Sequence, residues 1–201
     1  VAAGDEAVAR APASPAAALA ALEAVHGGRL GVAALDTGSG RVLAQRGDER
    51  FAMCSTFKWL LAAWMLSEVE AGRESLDRRI RYGREALIPW SPVTEKHVDT
   101  GMGVGELCAA TVTMSDNAAA NLLLAEHGGP DALTAWLRST GDTITRLDRI
   151  EPFMNASAPG DPRDTTTPRA MLGSLQRLLL GNVLSPDSRK QLLDWLLANQ
   201  T

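Results

Sequence analysis

The sequence predicts an α+β fold, because one β-hairpin is followed by a long series of helices. Two short β-prone runs, residues 29–35 and 41–45, flank a turn sequence at residues 36–40. From Ser55 onwards, apolar residues recur at helical spacing almost to the end of the chain. A two-stranded hairpin alone is marginal in water, so we expect further strands to complete the sheet.

The helices are predicted from their apolar spacing and their end signals. Ser14 followed by Pro15 is a typical helix start, and a Gly-Gly pair ends this first helix. The second helix is predicted over residues 55–71 and ends at Gly72. Further helices are predicted over residues 104–113, 117–126, 131–139, 168–180 and 186–198, and the last two begin at Thr-Pro and Ser-Pro pairs.

Two polar stretches between these helices, residues 82–103 and 146–167, follow neither the helical nor the strand period. Long ordered loops in compact domains are usually functional. We therefore expect residues of a functional site in both stretches.

Composition excludes several classes of protein. The chain has 201 residues with 20 basic and 24 acidic side chains, for a net charge of -4, which argues against a nucleic-acid partner. Its hydrophobic content of 45% argues against disorder, and no apolar run reaches the roughly 20 residues that a membrane-spanning helix needs. The two cysteines, Cys54 and Cys108, are too few for a disulfide scaffold or a zinc ribbon.

Ser55 and Lys58 are the first candidate catalytic pair. Residues three apart share a helical face, so the Lys58 amine can approach the Ser55 hydroxyl. A lysine desolvated by the apolar residues 59–66 could serve as a base, and the helix N-terminus would stabilise an oxyanion at Ser55. The alternative is that Ser55 caps the helix and Lys58 extends to solvent.

Ser115, Asp116 and Asn117 form a second candidate motif before a predicted helix. Ser115 could pass a proton to a leaving nitrogen while Asn117 holds a substrate amide. The alternative is a helix N-cap, since Ser, Asp and Asn are the favoured types there. Asp116 is expected to be structural.

Glu151 and Asn155 form a third candidate motif. A carboxylate and an amide four residues apart could hold one water between them, with Glu151 as its general base. The alternative is an exposed loop glutamate. Arg149 and Asp164 bracket this segment, and an ion pair between them would close the loop at its neck.

These motifs, in this order and at these separations, resemble those of a class A serine β-lactamase. Flanking residues also match: Arg50-Phe51, residues 90–97 and residues 159–166. The resemblance extends from about residue 29 to residue 201. It implies the β-lactamase/transpeptidase-like α+β fold, in which an all-helical subdomain lies beside an antiparallel sheet flanked by helices.

The resemblance also divides the chain. Residues 1–59 would be the N-terminal part of an α/β subdomain, with the nucleophile. Residues 60–185 would be the all-helical subdomain with the active-site loop 146–167. Residues 186–201 would be a helix returning to the α/β subdomain.

The resemblance assigns roles to the candidate residues. Ser55 would attack a lactam carbonyl and form an acyl-enzyme, and its proton would go to Lys58 or, through a water, to Glu151. Ser115 would relay a proton to the lactam nitrogen. Glu151 and Asn155 would activate the water that cleaves the acyl-enzyme. Asn117 would bind the side-chain amide of the drug, and Trp90 would form an aromatic wall of the cleft. Phe153 and Met154 depart from the acidic residue and leucine usual between Glu151 and Asn155.

The partners implied are a small β-lactam substrate, with no metal, cofactor, nucleic acid or membrane. The resemblance implies a monomer that is secreted or periplasmic in a bacterium, as a mature form without a signal peptide. The family's Lys-Thr-Gly motif is absent from this sequence and would lie beyond residue 201, with further strands of the sheet. We therefore expect the working protein to include this remainder, covalently or as a complementing C-terminal segment or chain.

Cys54 precedes the nucleophile, as in relatives that hydrolyse carbapenems and bridge this cysteine to one further along. The resemblance therefore implies a disulfide between Cys54 and a partner beyond residue 201, and a carbapenemase-like enzyme. Two alternatives remain open: a D,D-peptidase of the penicillin-binding class, or a β-lactam sensor that is acylated without turnover. An inactive fragment that needs its C-terminal piece is a third.

Overall fold

The structure is a computed structural model that describes residues 14–156 and 158–201. The first 13 residues of the predicted N-terminal part therefore lie outside the described residues. The helices are α1 (Pro15–His26), α2 (Lys58–Glu70), α3 (Val104–Thr113), α4 (Asn117–Glu126), α5 (Gly129–Ser139), α6 (Pro168–Leu175) and α7 (Pro186–Leu197). The strands are β1 (Val32–Leu35), β2 (Val42–Gln45), β3 (Phe51–Ala52), β4 (Arg79–Ile80), β5 (Met102–Gly103) and β6 (Thr165–Thr166). This arrangement confirms the α+β class.

The helix starts are predicted well because each depends on a few neighbouring residues. Ser14, Thr167 and Ser185 each accept a backbone N–H of the first helical turn at 3.1–3.3 Å. The predicted helix 168–180 differs in its second half, where the hydrogen bonding after α6 changes to a π-helical turn over Gln176–Leu180.

The hairpin forms as a two-stranded antiparallel pair of β1 and β2. Strand β1 begins later than predicted because the Leu30 N–H donates to the Glu23 carboxylate at 2.8 Å instead of to a strand. The expectation that further strands complete this sheet is not met within the described residues, where β1 pairs with β2 alone. Helices α1 and α6 pack against the hairpin instead.

Two further strand pairs, in which each strand has two residues, were not predicted. Strand β3 pairs antiparallel with β6, and β4 with β5. The pair β4–β5 closes the irregular stretch between residues 80 and 102. The span 60–185, which was expected to be all-helical, therefore also contains short strands. The boundaries of the proposed subdomains stay a prediction.

Helix α2 lies at the centre of the core. All residues from Lys58 to Leu66 are buried, and α3, α4, α5 and α7 pack around them. A helix that is apolar on all sides is typical of such a central position. No helix among residues 14–156 and 158–201 combines the length and apolar character needed to cross a membrane.

Candidate active site

Ser55 and Lys58 lie at the start of the central helix. The turn Cys54–Phe57 is a 3-10 helix that leads directly into α2, so the predicted start of the helix at residue 55 differs only in its first turn. Ser55 is exposed, whereas the Lys58 side chain is only 2% exposed. The Lys58 Nζ lies 3.1 Å from the Ser55 Oγ, as the spacing of the motif predicts.

Two residues of the Ser115-Asp116-Asn117 motif contact the Lys58 amine. Lys58 Nζ donates to the Ser115 Oγ at 3.0 Å, to the Ser115 carbonyl at 2.7 Å and to the Asn117 Oδ1 at 2.5 Å. Ser115 has a φ of +55°, in the left-handed region, which is rare for a residue other than glycine. Strain of this kind is typical of functional sites whose surroundings hold the backbone in place.

Asp116 holds that backbone. Its carboxylate is fully buried and caps α4 by accepting the Ala119 N–H at 2.9 Å. The same carboxylate accepts the N–H groups of Val93 and Thr94 at 3.0 and 2.9 Å. These bonds connect the start of α4 to the irregular stretch 82–103. The N-cap alternative therefore holds for Asp116, and the roles of Ser115 and Asn117 stay a prediction.

Glu151 completes the cluster from the second irregular stretch. Its side chain is fully buried and its Oε1 lies 3.3 Å from Lys58 Nζ. The Asn155 Nδ2 donates to the other carboxylate oxygen at 2.6 Å. Oε1 accepts no hydrogen bond from the described residues, although it lies within ion-pair distance of the ammonium. Glu151 is therefore not an exposed loop glutamate.

Burial alters the proton affinity of Lys58. Desolvation lowers the pKa of its amine, and the Glu151 carboxylate opposes this by favouring the charged form. A lysine with a lowered pKa gives up its proton more readily, which is the property expected of a base beside Ser55.

Asn121 holds Glu151 in place and was missed by the sequence analysis. Its Oδ1 accepts the Glu151 N–H at 3.0 Å and its Nδ2 donates to the Glu151 carbonyl at 2.9 Å. Asn121 follows Asn117 by four residues, which places both amides on one face of α4. That spacing was the available signal.

With the roles that the resemblance implies for Ser55 and Glu151, we expect Asn121→Leu to slow deacylation about tenfold, because the loss of two hydrogen bonds lets the Glu151 backbone move. The rate of acylation should change less, since Lys58 keeps its contacts with both serines. Decay of the acyl-enzyme, followed by mass spectrometry, measures the effect. Asn182→Leu, at an exposed position before α7, is the matched control. Equal slowing of both steps would contradict a positioning role.

The neck of the loop 146–167 is closed as predicted by Arg149 and Asp164. The Arg149 Nε lies 2.5 Å from the Asp164 Oδ2, and Asp164 is almost completely buried. The other carboxylate oxygen accepts the N–H groups of Asp148 and Arg149 at 2.7 and 2.9 Å. The Met53 N–H donates to the Asp164 carbonyl at 2.9 Å, which joins the neck to the segment before Ser55.

Arg149→Ala is expected to lower the free energy of unfolding by about 2 kcal/mol, because it leaves the buried Asp164 carboxylate without its cation. Arg163→Ala is the control: it breaks an ion pair with Asp161 on the same loop, but Arg163 is half exposed. That change should cost less than about 1 kcal/mol. Urea denaturation of both variants measures the difference, and equal losses would contradict the prediction.

The remaining candidate residues, Trp90 and Asn117, lie at the edge of the cluster around Lys58. Trp90 is 60% exposed, and its Nε1 donates to the Met114 carbonyl at 2.9 Å. The Trp90 carbonyl accepts the Asn117 N–H at 2.9 Å, so the indole stands beside the cluster. Asn117 Nδ2 donates to the Pro89 carbonyl at 2.9 Å, which leaves one of its two hydrogens for another acceptor.

Cys54 is exposed and unbridged, and Cys108 is fully buried in α3. Burial strongly raises the pKa of the Cys108 thiol. The implied partner of Cys54 would lie beyond residue 201, so its disulfide stays a prediction. Of the two residues that depart from the usual loop sequence, Met154 is buried and Phe153 is 67% exposed.

The cluster opens into a cavity of about 550 Å³ lined by Ser55, Lys58, Ser115 and Thr111, together with apolar side chains of α2 and α7. Fold and site define the class of α+β proteins in which a serine at the start of the central helix is followed three residues later by a buried lysine that contacts it. The chain belongs to the beta-lactamase enzyme family, whose model matches residues 14–201.

Known relatives agree with this assignment. The chain is 54% identical over 182 residues to the carbapenem-hydrolyzing beta-lactamase KPC of Klebsiella oxytoca, covering 90% of this chain and 62% of that protein. Beta-lactamase L2 of Stenotrophomonas maltophilia is also 54% identical, over 90% of this chain and 60% of that protein. The chain thus spans about three fifths of the length of these curated relatives.

Solved structures agree as well. An ancestral class A beta-lactamase is 66% identical with a TM-score of 0.91, covering 92% of this chain and 72% of that one. The putative class A beta-lactamase PenP of Rhodopseudomonas palustris is 57% identical with a TM-score of 0.90, over 92% of this chain and 71% of that one. The described residues therefore have the class A fold.

Proposed function

We propose that the chain carries the acylation and deacylation machinery of a serine β-lactamase. The observation that carries the proposal is the position of the Lys58 ammonium, which contacts the hydroxyls of Ser55 and Ser115 and lies 3.3 Å from the Glu151 carboxylate. One amine within reach of two hydroxyls and a carboxylate can move protons among them. Relatives named as β-lactamases support the same reaction.

In the acylation step, the Ser55 Oγ attacks the lactam carbonyl carbon and its proton passes to Lys58, or through a water to Glu151. The lactam C–N bond breaks, and Ser115 relays a proton to the nitrogen. The Ser55 backbone N–H, at the start of the 3-10 turn, supplies one donor to the oxyanion.

In the deacylation step, a water placed by Glu151 and Asn155 attacks the ester carbonyl. Glu151 takes a proton from that water, and the C–O bond to Ser55 breaks. Ser55 then regains its proton. A hydrolase needs Glu151 and Asn155 to activate the water that cleaves the acyl-enzyme, whereas a D,D-peptidase or a β-lactam sensor does not. The 2.6 Å hydrogen bond between their side chains favours the hydrolase.

Incubation of the chain with a penicillin, followed by intact-mass spectrometry, tests the proposal. We expect a transient adduct with the mass of the drug and release of the opened product. An adduct that persists would favour the peptidase or sensor. No adduct at all would contradict acylation by this chain and would agree with a fragment that needs a C-terminal complementing chain.

We infer further that carbapenems are among the substrates, because the chain is 54% identical to an enzyme named as carbapenem-hydrolyzing. Trp90 would cover the drug and Asn117 would bind its side chain. Loss of carbapenem absorbance on mixing measures this activity, and a stable adduct without turnover would contradict it.

Family membership also supports export to the periplasm of a bacterium, with the chain acting as a monomer. Cell fractionation and light scattering test these two points.

A further inference from the structure

A second cavity lies between β3 and the tip of the loop 146–167, apart from the Ser55 site. Its volume is about 490 Å³, which is in the range of small-molecule sites. Arg29, Arg50 and Phe51 form one wall, and residues 158–162 form the other. None of the residues that line the cavity at Ser55 lines this one.

Arg50 gives this cavity a cation with free hydrogen-bonding capacity. Its Nη1 donates to the Ile144 carbonyl at 3.1 Å and to the Thr165 Oγ1 at 2.9 Å, and both acceptors are neutral. A guanidinium has five N–H donors, and the Nε and Nη2 donors of Arg50 have no partner among residues 14–156 and 158–201. The Nε and Nη2 of an arginine can bind one carboxylate through two parallel hydrogen bonds.

The other charges of the cavity wall are paired. Asp161, the acidic residue of the wall, is held by the Arg163 Nη2 at 2.7 Å and by the Arg163 N–H at 3.0 Å. Arg29 forms an ion pair with Glu49 at 3.0 Å. Arg50 therefore leaves the wall with a net positive charge that suits an anionic ligand.

Phe51 supplies an apolar surface next to this cation. The Arg29 guanidinium lies 4.5 Å from the centre of the Phe51 ring. The ring also packs closely against the Gly31 backbone, since a Cβ at that position would lie 2.5 Å from a ring carbon. A flat apolar group can pack against this ring while its charged end reaches Arg50.

We propose that this cavity is a binding site for a small aromatic carboxylate. The carboxylate accepts two hydrogen bonds from the Nε and Nη2 of Arg50, and the aromatic ring packs against Phe51 under residues 158–162. This site is separate from the Ser55 cluster and adds a ligand to the β-lactam of the proposed function.

Titration of the full chain with para-fluorobenzoate, followed by fluorine NMR, tests the proposal. We expect saturable binding that para-fluorobenzyl alcohol, which lacks the charge, does not reproduce. Arg50→Gln should weaken binding at least about tenfold, because it removes the guanidinium that would donate both hydrogen bonds to the carboxylate. Arg81→Gln, which removes an equal charge from an exposed position after β4, should leave the affinity unchanged.

Two further variants keep the result decisive. Ala158→Trp fills the cavity without changing Arg50 and should also abolish binding, with folding checked by circular dichroism. Lys58→Met removes the cation of the Ser55 site and should leave binding intact. Absence of saturable binding to the parent chain, equal affinity in Arg50→Gln, or loss of binding in a Lys58→Met chain that circular dichroism shows to be folded would each overturn the proposal.

Discussion

Lys58→Met is expected to slow acylation of Ser55 by a penicillin about 10³-fold, the typical contribution of a positioned general base. Methionine has a similar length and suits a buried position, but it can neither accept the Ser55 proton nor donate to the Ser115 hydroxyl. Rapid-quench mass spectrometry of the adduct measures the rate. The parent rate should rise with pH as Lys58 loses its proton, at a pH below the ordinary range of lysine because burial lowers its pKa.

Lys190→Met is the matched control, because Lys190 is exposed and forms an ion pair with Asp194 on the surface of α7. Its acylation rate and pH profile should equal those of the parent. The buried Glu151 loses its cation in Lys58→Met, so circular dichroism must first show that the variant is folded. A folded Lys58→Met chain that is acylated within tenfold of the parent rate would contradict Lys58 as the base.

Local features of the fold could be predicted from the sequence, whereas pairings between distant residues could not. Ser14, Thr167 and Ser185 act on the next helical turn, so a short window of sequence contains the whole signal. The strands β3 to β6 have two residues each, which is too short for an alternating pattern. Their pairing depends on loops that bring distant segments together, as at the neck formed by Arg149 and Asp164.

The candidate site divides in the same way. Helical spacing alone predicted that Lys58 lies near Ser55, but only the resemblance predicted that Glu151 belongs to the same site. The contact between Glu151 and Lys58 was not predicted. Asn121 escaped prediction because it binds the backbone N–H and carbonyl of Glu151, which every residue type except proline would offer. The left-handed φ angles of Cys54 and Ser115, +44° and +55°, were also unpredictable because neither residue is glycine.

Glu151→Gln is expected to slow deacylation about 10³-fold and turn a transient acyl-enzyme into a persistent one. Glutamine keeps the shape of the side chain and its reach to Asn155, but its amide cannot take a proton from water. Intact-mass spectrometry over time measures the lifetime of the adduct, with the exposed Glu95→Gln as the control. A variant that releases product as fast as the parent would contradict the assigned role. Acylation of Glu151→Gln near the parent rate, together with its loss in Lys58→Met, would assign the first proton transfer to Lys58, whereas loss in Glu151→Gln with acylation kept in Lys58→Met would assign it to the water held by Glu151.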